Sequence, residues 1–325
     1  MIRSILHLIA LLAFWIPVYG IAADARAAAP SASKSTIESV ETGIYLSDIP
    51  SITFKDKKFQ ADFKVFFRWK DDAVNPVDSF EIVNGHIDNK ELVVKKKIGN
   101  INYASAHVEA TIHRNFDLSH YPMDNQVIKI QLEDRSGTLV YAADTQNSDV
   151  NPKINMPGWT LGKPETYAST TKYKTTYGDP SQSSGAESSV PRLTMAVELH
   201  RAGNAFLLKN FSMMILAAYC AFAAFLVRAD YIDARLAFSL SAVFIASSTQ
   251  GVLAGSLPDG EGLTLGDLFY QTTVLFIVIS VAGSVRTFRD FLSGDEALSI
   301  RHSTRYAIAL SLLYPAVLLA ISKFY

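Results

Sequence analysis

From about residue 35 to residue 201, apolar side chains recur at every second position. Phe59, Ala61, Phe63, Val65, Phe67 and Trp69 alternate with Gln60, Asp62, Lys64, Phe66 and Arg68. Ile128, Ile130 and Leu132 alternate with Lys129, Gln131 and Glu133, and Leu193, Met195, Val197 and Leu199 with Thr194, Glu198 and His200. Successive side chains of a strand point to opposite faces, so the pattern predicts strands with one face buried and one in water. Turn-forming pairs separate the runs: Asn84-Gly85, Gly99-Asn100, Ser136-Gly137, Pro157-Gly158 and the stretch Gly178 to Ser189. Short strands at this spacing predict an all-β sandwich of antiparallel strands with no long helix.

Past Arg201 the period changes. Residues 205–227 carry Lys209 as their only charge, 236–257 carry none, 263–285 carry only Asp267, and 306–321 carry none. Segments of this length can each cross a hydrocarbon core of about 30 Å, the last with help from its flanks Arg305 and Lys323. The expectation is therefore a four-helix transmembrane bundle with spans at 205–227, 236–257, 263–285 and 305–323. Arg228 and Arg235 lie between the first two spans, and Arg286, Arg289 and Arg301 between the last two. The loop between spans two and three holds only Asp259 and Glu261. Basic loops stay in the cytoplasm, which puts the β half and the C-terminus outside. Residues 1–29 agree: Arg3, the apolar run Ile5 to Ile16 and the small residues Ala23 to Ala29 read as an export signal. Pro17 and Gly20 weigh against a first membrane helix there. Three regions follow: a signal peptide (1–29), an extracellular or periplasmic β domain (30–203) and a membrane domain (204–325).

Composition narrows the chemistry. The 325 residues are 49% hydrophobic and only 19% charged, with a mean hydropathy of +0.16, as expected of a chain part aqueous and part lipid-embedded. Thirty basic and 31 acidic residues leave a net charge of −1 and no footprint for nucleic acid. The lone Cys220 excludes an intramolecular disulfide and a cysteine-based zinc cluster. His86, His107, His113, His120 and His200 lack paired metal-ligand spacing, and no nucleophile elbow, phosphate loop or dinucleotide fingerprint is present. No enzyme activity, cofactor or metal is expected. Asp71 with Asp72, or Asp88 with Glu91, could hold calcium, but solvated turns explain them more simply.

The second span is odd for a lipid-facing helix, because Ser239, Ser241, Ser247, Ser248, Thr249 and Gln250 interrupt it. On a helical wheel Asp233, Ala237, Ser241, Phe244, Ser248, Gly251 and Gly255 form one narrow stripe. Polar groups at membrane depth usually face a bundle interior or a water-filled path. Copies of this stripe around an axis would make Asp233 a ring of acids favouring cations, and Phe244 a hydrophobic constriction. Tight helix packing through small residues is the other reading.

The order of features resembles that of a known family. Phe116 to Gln126 (FDLSHYPMDNQ), with Tyr121, Pro122, Met123 and Asp124 at its centre, is similar to the signature loop of bacterial pentameric ligand-gated ion channels, relatives of the Cys-loop receptors. Phe67-Arg68-Trp69-Lys70-Asp71, Pro157-Gly158-Trp159, Arg201, Asp233-Ala234-Arg235 and Leu257-Pro258 support it in order. The resemblance implies a homopentamer around a central pore in the bacterial inner membrane, gated by a small molecule or protons, and Asp233 would make that pore cation-selective. It implies coupling through Asp56, Tyr121, Pro122, Asp124, Arg201 and Pro258, with Asp124 and Arg201 as partners. It also implies a ligand site between β domains: Val83, Asn84, Arg135, Tyr173 and Tyr177 on one side, Lys64 and Phe66 across from them. Arg135 and Lys64 there would favour an anionic or zwitterionic ligand over a quaternary ammonium. Ser212 departs from the family's proline, Phe244 from its leucine or isoleucine and Gly251 from a bulky residue, and the linker 287–303 is short. A non-conducting membrane sensor with the same topology remains the alternative.

Overall fold

The computed structural model describes residues 38–134, 137, 139–176, 187–201, 203–260 and 262–325, with backbone alone at 203–210. The expected export signal lies outside these residues, as do Arg135 and Tyr177. The first part of the chain is built of strands β1 (Glu38–Thr53), β2 (Lys58–Trp69), β3 (Phe80–Ile82), β4 (Gly85–Ile98) and β5 (Ile101–His113). It continues through β6 (Asn125–Asp134), β7 (Leu139–Ala143), β8 (Asp149–Val150), β9 (Trp159–Tyr173) and β10 (Ser188–Arg201). A short helix, α1 (Pro76–Ser79), is the only helical turn among its described residues.

One sheet has the order β4-β5-β2-β1-β7 with β8 also on β1; the other has the order β3-β6-β10-β9. The alternation decides which side chains lie between them. Phe59, Phe63, Val65 and Phe67 of β2 meet Ile128, Ile130 and Leu132 of β6 and Leu193, Met195 and Val197 of β10 in a single buried cluster. Each such side chain contributes about 1.5–3 kcal/mol by leaving water. Asn84 and Gly99, both at positive φ, make the turns into β4 and β5.

Two expectations for this half need correction. The strands are not all antiparallel: β7 and β8 run parallel to β1, because the chain reaches them by crossing over from β6 of the other sheet. Nor are all the alternate positions solvated. Glu133 and Thr194 are buried, Glu133 because Arg192 and Tyr173 cover it. At the β7–β8 turn Asp144 is also buried, where it accepts hydrogen bonds from Arg68 and from the side chain and backbone of Asn147.

Helices follow: α2 (Gly203–Ala223), continued by a 3-10 turn at Ala224–Leu226, then α3 (Ile232–Gly255), α4 (Leu265–Leu292) and α5 (Glu296–Phe324). The helices α3, α4 and α5 are long and apolar enough to cross a membrane, and they fit a transmembrane protein with a β domain; the apolar stretch of Phe211–Leu226 is shorter. The segment expected as a linker, 287–303, is mostly helical. Helix α4 runs on to Leu292, Gly294 turns the chain at positive φ, and Asp295 caps α5 by accepting from Leu298 N–H. Hydropathy marks where lipid ends, whereas a capped, polar helix continues into water. Hydroxyls stitch the bundle: Ser280 donates to the Ala221 carbonyl, and Thr273 pairs with Tyr314 at 2.8 Å. Gly283 lets the stacked rings of Phe225 and Tyr306 close over α4, since a Cβ there would lie 2.9 Å from Phe225.

Candidate functional site

Helix α3 has two unlike faces. Arg235, Ser239, Ala242, Ala246 and Leu253 are buried against the neighbouring helices. Asp233, Ala237, Ser241, Phe244, Ser248, Gly251 and Gly255, the stripe singled out by sequence, are all exposed, with Phe244 at 68%. The exposed face of α5 is different in kind, with Ile308, Leu312, Leu313 and Leu319 turned outward. The exposed surface of α5 thus suits lipid, while that of α3 sets hydroxyls, glycines and an acid beside Leu236, Phe238, Leu240 and Val252. Along the stripe's flank runs a groove of about 510 Å3 lined by Leu236, Leu240 and Val243 of α3 and Val281 of α4. The remaining polar residues of α3 are used within the chain. Thr249 donates to the Ile245 carbonyl, Gln250 Nε2 donates to Asp267 Oδ1 at 2.5 Å, and Ser247 lies 3.4 Å from the Tyr270 hydroxyl. Asp233 sits in the first turn of α3, where an acid suits the positive end of the helix dipole.

At the end of the bundle away from the β domain, Arg235 is only 1% exposed and gathers three elements. Its Nε and Nη2 donate to the Val227 carbonyl, Nη1 donates to Thr287 of α4 at 2.7 Å and Nη2 to Ser303 of α5 at 3.0 Å. No carboxylate is among these partners. Sequence reading placed this arginine in a motif without seeing that it ties α3, α4 and α5 together.

The junction between the β domain and the helices is built around Arg201, the last residue of β10. Arg201 Nε donates to Asp124 Oδ1 at 3.1 Å, and the two side chains are 8% and 2% exposed. Its guanidinium lies 4.1 Å from the centre of the Trp159 ring, 5.1 Å from Tyr121 and 5.3 Å from Phe54. Trp159 is the direct cross-strand neighbour of Arg201, so strand register alone delivers this stacking. Gln126 Nε2 fills the other carboxylate oxygen of Asp124 at 2.7 Å. The 116–124 loop also reaches α4: Leu265 N–H donates to the Ser119 carbonyl at 2.8 Å and Gly266 N–H to the Tyr121 carbonyl at 2.9 Å. Thr264 and Asp267 complete this helix end with a capping box. Pro258 is buried between α3 and α4. Asp56 is exposed on the β1–β2 turn, 3.3 Å from Lys58. The Tyr121–Pro122 bond is cis.

The residues expected at a ligand site are distributed differently. Tyr173 of β9 shares Glu133 with Arg192: the phenol donates to the carboxylate at 3.0 Å, Arg192 Nε donates to it at 2.7 Å, and Arg192 Nη2 donates to the phenol oxygen at 2.8 Å. Burial, then the Glu133 carboxylate, push the Tyr173 phenol above its ordinary value. Tyr141, buried beside Asp134, Glu133 and Glu81, is pushed far upward for the same reasons. Glu133 and Arg192 were not foreseen; the register that sets them opposite each other is their only signal. Val83 and Asn84, at the β3–β4 turn, instead line a polar cavity of about 690 Å3 with Lys57, Arg114 and Lys129. Lys64 and the half-buried Phe66 stand on β2 of the other sheet. Within one chain, then, Tyr173, Asn84 and Lys64 mark three separate places. The acidic pairs have protein partners: Asp72 binds Lys97 and Asn102, and Asp88 binds Thr111.

No known protein-family model matches the chain, and no characterised protein matches it.

Proposed function

We propose that this chain is the subunit of a cation-selective, ligand-gated channel of the pentameric type, with α2 to α5 as its four membrane spans and α3 lining the pore. One observation carries the reading: the stripe Asp233, Ala237, Ser241, Phe244, Ser248, Gly251 and Gly255 is turned out of the chain's own bundle, while Ala242, Ala246 and Leu253 are turned in. Hydroxyls and a carboxylate at membrane depth require water or protein partners, and symmetric copies around an aqueous axis supply both. The groove of Leu236, Leu240 and Val243 gives a neighbouring subunit a surface to pack upon. Phe244 then closes the path by dewetting and Asp233 selects cations at the basic, cytoplasmic side. The 116–124 loop, held by Arg201 and docked on α4, transmits events in the periplasmic β domain to the pore. The membrane is the bacterial inner membrane in this reading, and the ligand is a small molecule.

The test is electrical and chemical. Protein reconstituted in a planar bilayer is expected to give discrete current steps. With Cys220→Ser as background, Ser241→Cys and Ser248→Cys are expected to react with a charged thiol reagent and block the current, and Ala242→Cys and Ala246→Cys to stay protected. A silent bilayer with a folded oligomer present would favour the non-conducting sensor.

A further inference from the structure

The cavity beside Val83 and Asn84 is walled by segments distant from one another in sequence. His113 N–H donates to the Asn84 carbonyl at 2.7 Å, Arg114 N–H to the Lys57 carbonyl at 2.7 Å, and Val83 N–H to the Gln131 carbonyl at 2.9 Å. These bonds lock the β1–β2 turn, the β3–β4 turn, the end of β5 and the middle of β6 into one rigid cup. Its charge is one-sided: Lys57, Arg114 and Lys129, with His113, face the cavity, and no acid is among the described residues that line it. Arg114 Nε is buried without a hydrogen-bond partner, and neither Arg114 nor Lys129 forms a salt bridge among the described residues. Burial depresses the Arg114 guanidinium accordingly. A buried donor left unmet carries the full desolvation cost of that group, and an anion is the partner that would remove it. Asn84, Asn115 and Gln131 complete the lining with amides able to donate to further oxygens.

We infer that this cup is a binding site for a small organic polyanion, a di- or tricarboxylate whose carboxylates Arg114 and Lys129 hold. A cavity of about 690 Å3 is larger than a single ion needs and lies within the range that small-molecule sites occupy, about 300–1,000 Å3. The place of the cup gives it a consequence. Lys57 belongs to the β1–β2 turn and Arg114 stands two residues before the 116–124 loop, so one bound ligand bridges that turn and the strand end leading into the loop docked on α4. Binding stands independently of the channel reading; its effect on gating rests on that reading.

The experiment is calorimetric titration of the purified full-length protein in nanodiscs with succinate, citrate and inorganic phosphate, with neutral succinamide as control. Saturable binding of succinate or citrate is expected, weakened at least about tenfold by Arg114→Gln or Lys129→Gln and absent for succinamide. Both variants are checked for an unchanged melting temperature, and a binding loss that persists at unchanged melting supports the site. Binding of phosphate alone points to an adventitious ion site and overturns the organic ligand. No saturable binding, or binding indifferent to both substitutions, overturns the site itself. If Arg114→Gln instead changes the oligomeric mass while no anion binds, the cup receives a neighbouring subunit's acid and the proposal fails. Currents measured with and without citrate report regulation separately, so a silent bilayer with intact binding sinks only the channel reading.

Discussion

Arg201 Nε and Asp124 Oδ1 are 3.1 Å apart in a place where both side chains are almost wholly buried. Removing either member strands the other charge, at a cost of about 3–5 kcal/mol. Arg201→Ala is therefore expected to lower the melting temperature in detergent markedly and to remove ligand-evoked current. Arg201→Lys should rescue poorly, because an ammonium cannot both donate to the carboxylate and lie flat over Trp159 as the planar guanidinium does. Full rescue by lysine would show that charge alone matters there.

Arg235 is buried too, but its partners are neutral. Thr287 keeps its own bonds to the Gly283 and Ser284 carbonyls when the arginine is gone, leaving the Val227 carbonyl as the main orphan. Arg235→Met should cost about 1–3 kcal/mol, less than Arg201→Ala. Unfolding of the two variants side by side checks the order; a larger loss at Arg235 would contradict it.

On the channel reading proposed above, the exposed stripe of α3 makes two electrical expectations. Asp233→Asn should reduce cation-over-anion permeability several-fold, read as a shift in reversal potential under a salt gradient. Phe244→Ala should raise the current without ligand, because a wider and wetter constriction no longer excludes water. Unchanged selectivity and unchanged resting current in both variants would count against the channel reading of α3.

Asp144 connects the β domain to pH. Burial opposes its charge most strongly, yet the Asn147 side chain and backbone N–H, the Arg68 guanidinium and the Gln146 N–H together outweigh it, holding the carboxyl below its ordinary 3.8. A carboxylate depressed in the folded state adds stability that is full above the unfolded value and lost as pH falls through the folded one. Wild-type protein should therefore lose stability below about pH 4 more steeply than Asp144→Asn, which should be less stable at neutral pH. Melting curves from neutral pH down to about pH 3 test both parts.

Local pattern carried much of the fold into view. The core positions of β2, β6 and β10 follow from period-two alternation, and the stripe of α3 follows from helical spacing, because each depends only on neighbours within one element. What needed the third dimension was pairing across elements. Glu133 reads as a solvated alternate until β10 places Arg192 opposite it. The loop expected between α4 and α5 is largely helix, since capping by Asp295 and the turn at Gly294 act beyond the apolar window. Val83 and Asn84 were visible as a turn, but the cationic cup around them draws on four segments distant in sequence.

Ser119 and Tyr121 lend their carbonyls to the first amides of α4, so a piece of the β domain finishes a helix that it does not belong to. Tilting the upper half while leaving that helix still would tear two main-chain bonds at once. The 116–124 loop and the start of α4 are thus joined main chain to main chain, and a displacement of either draws directly on the other.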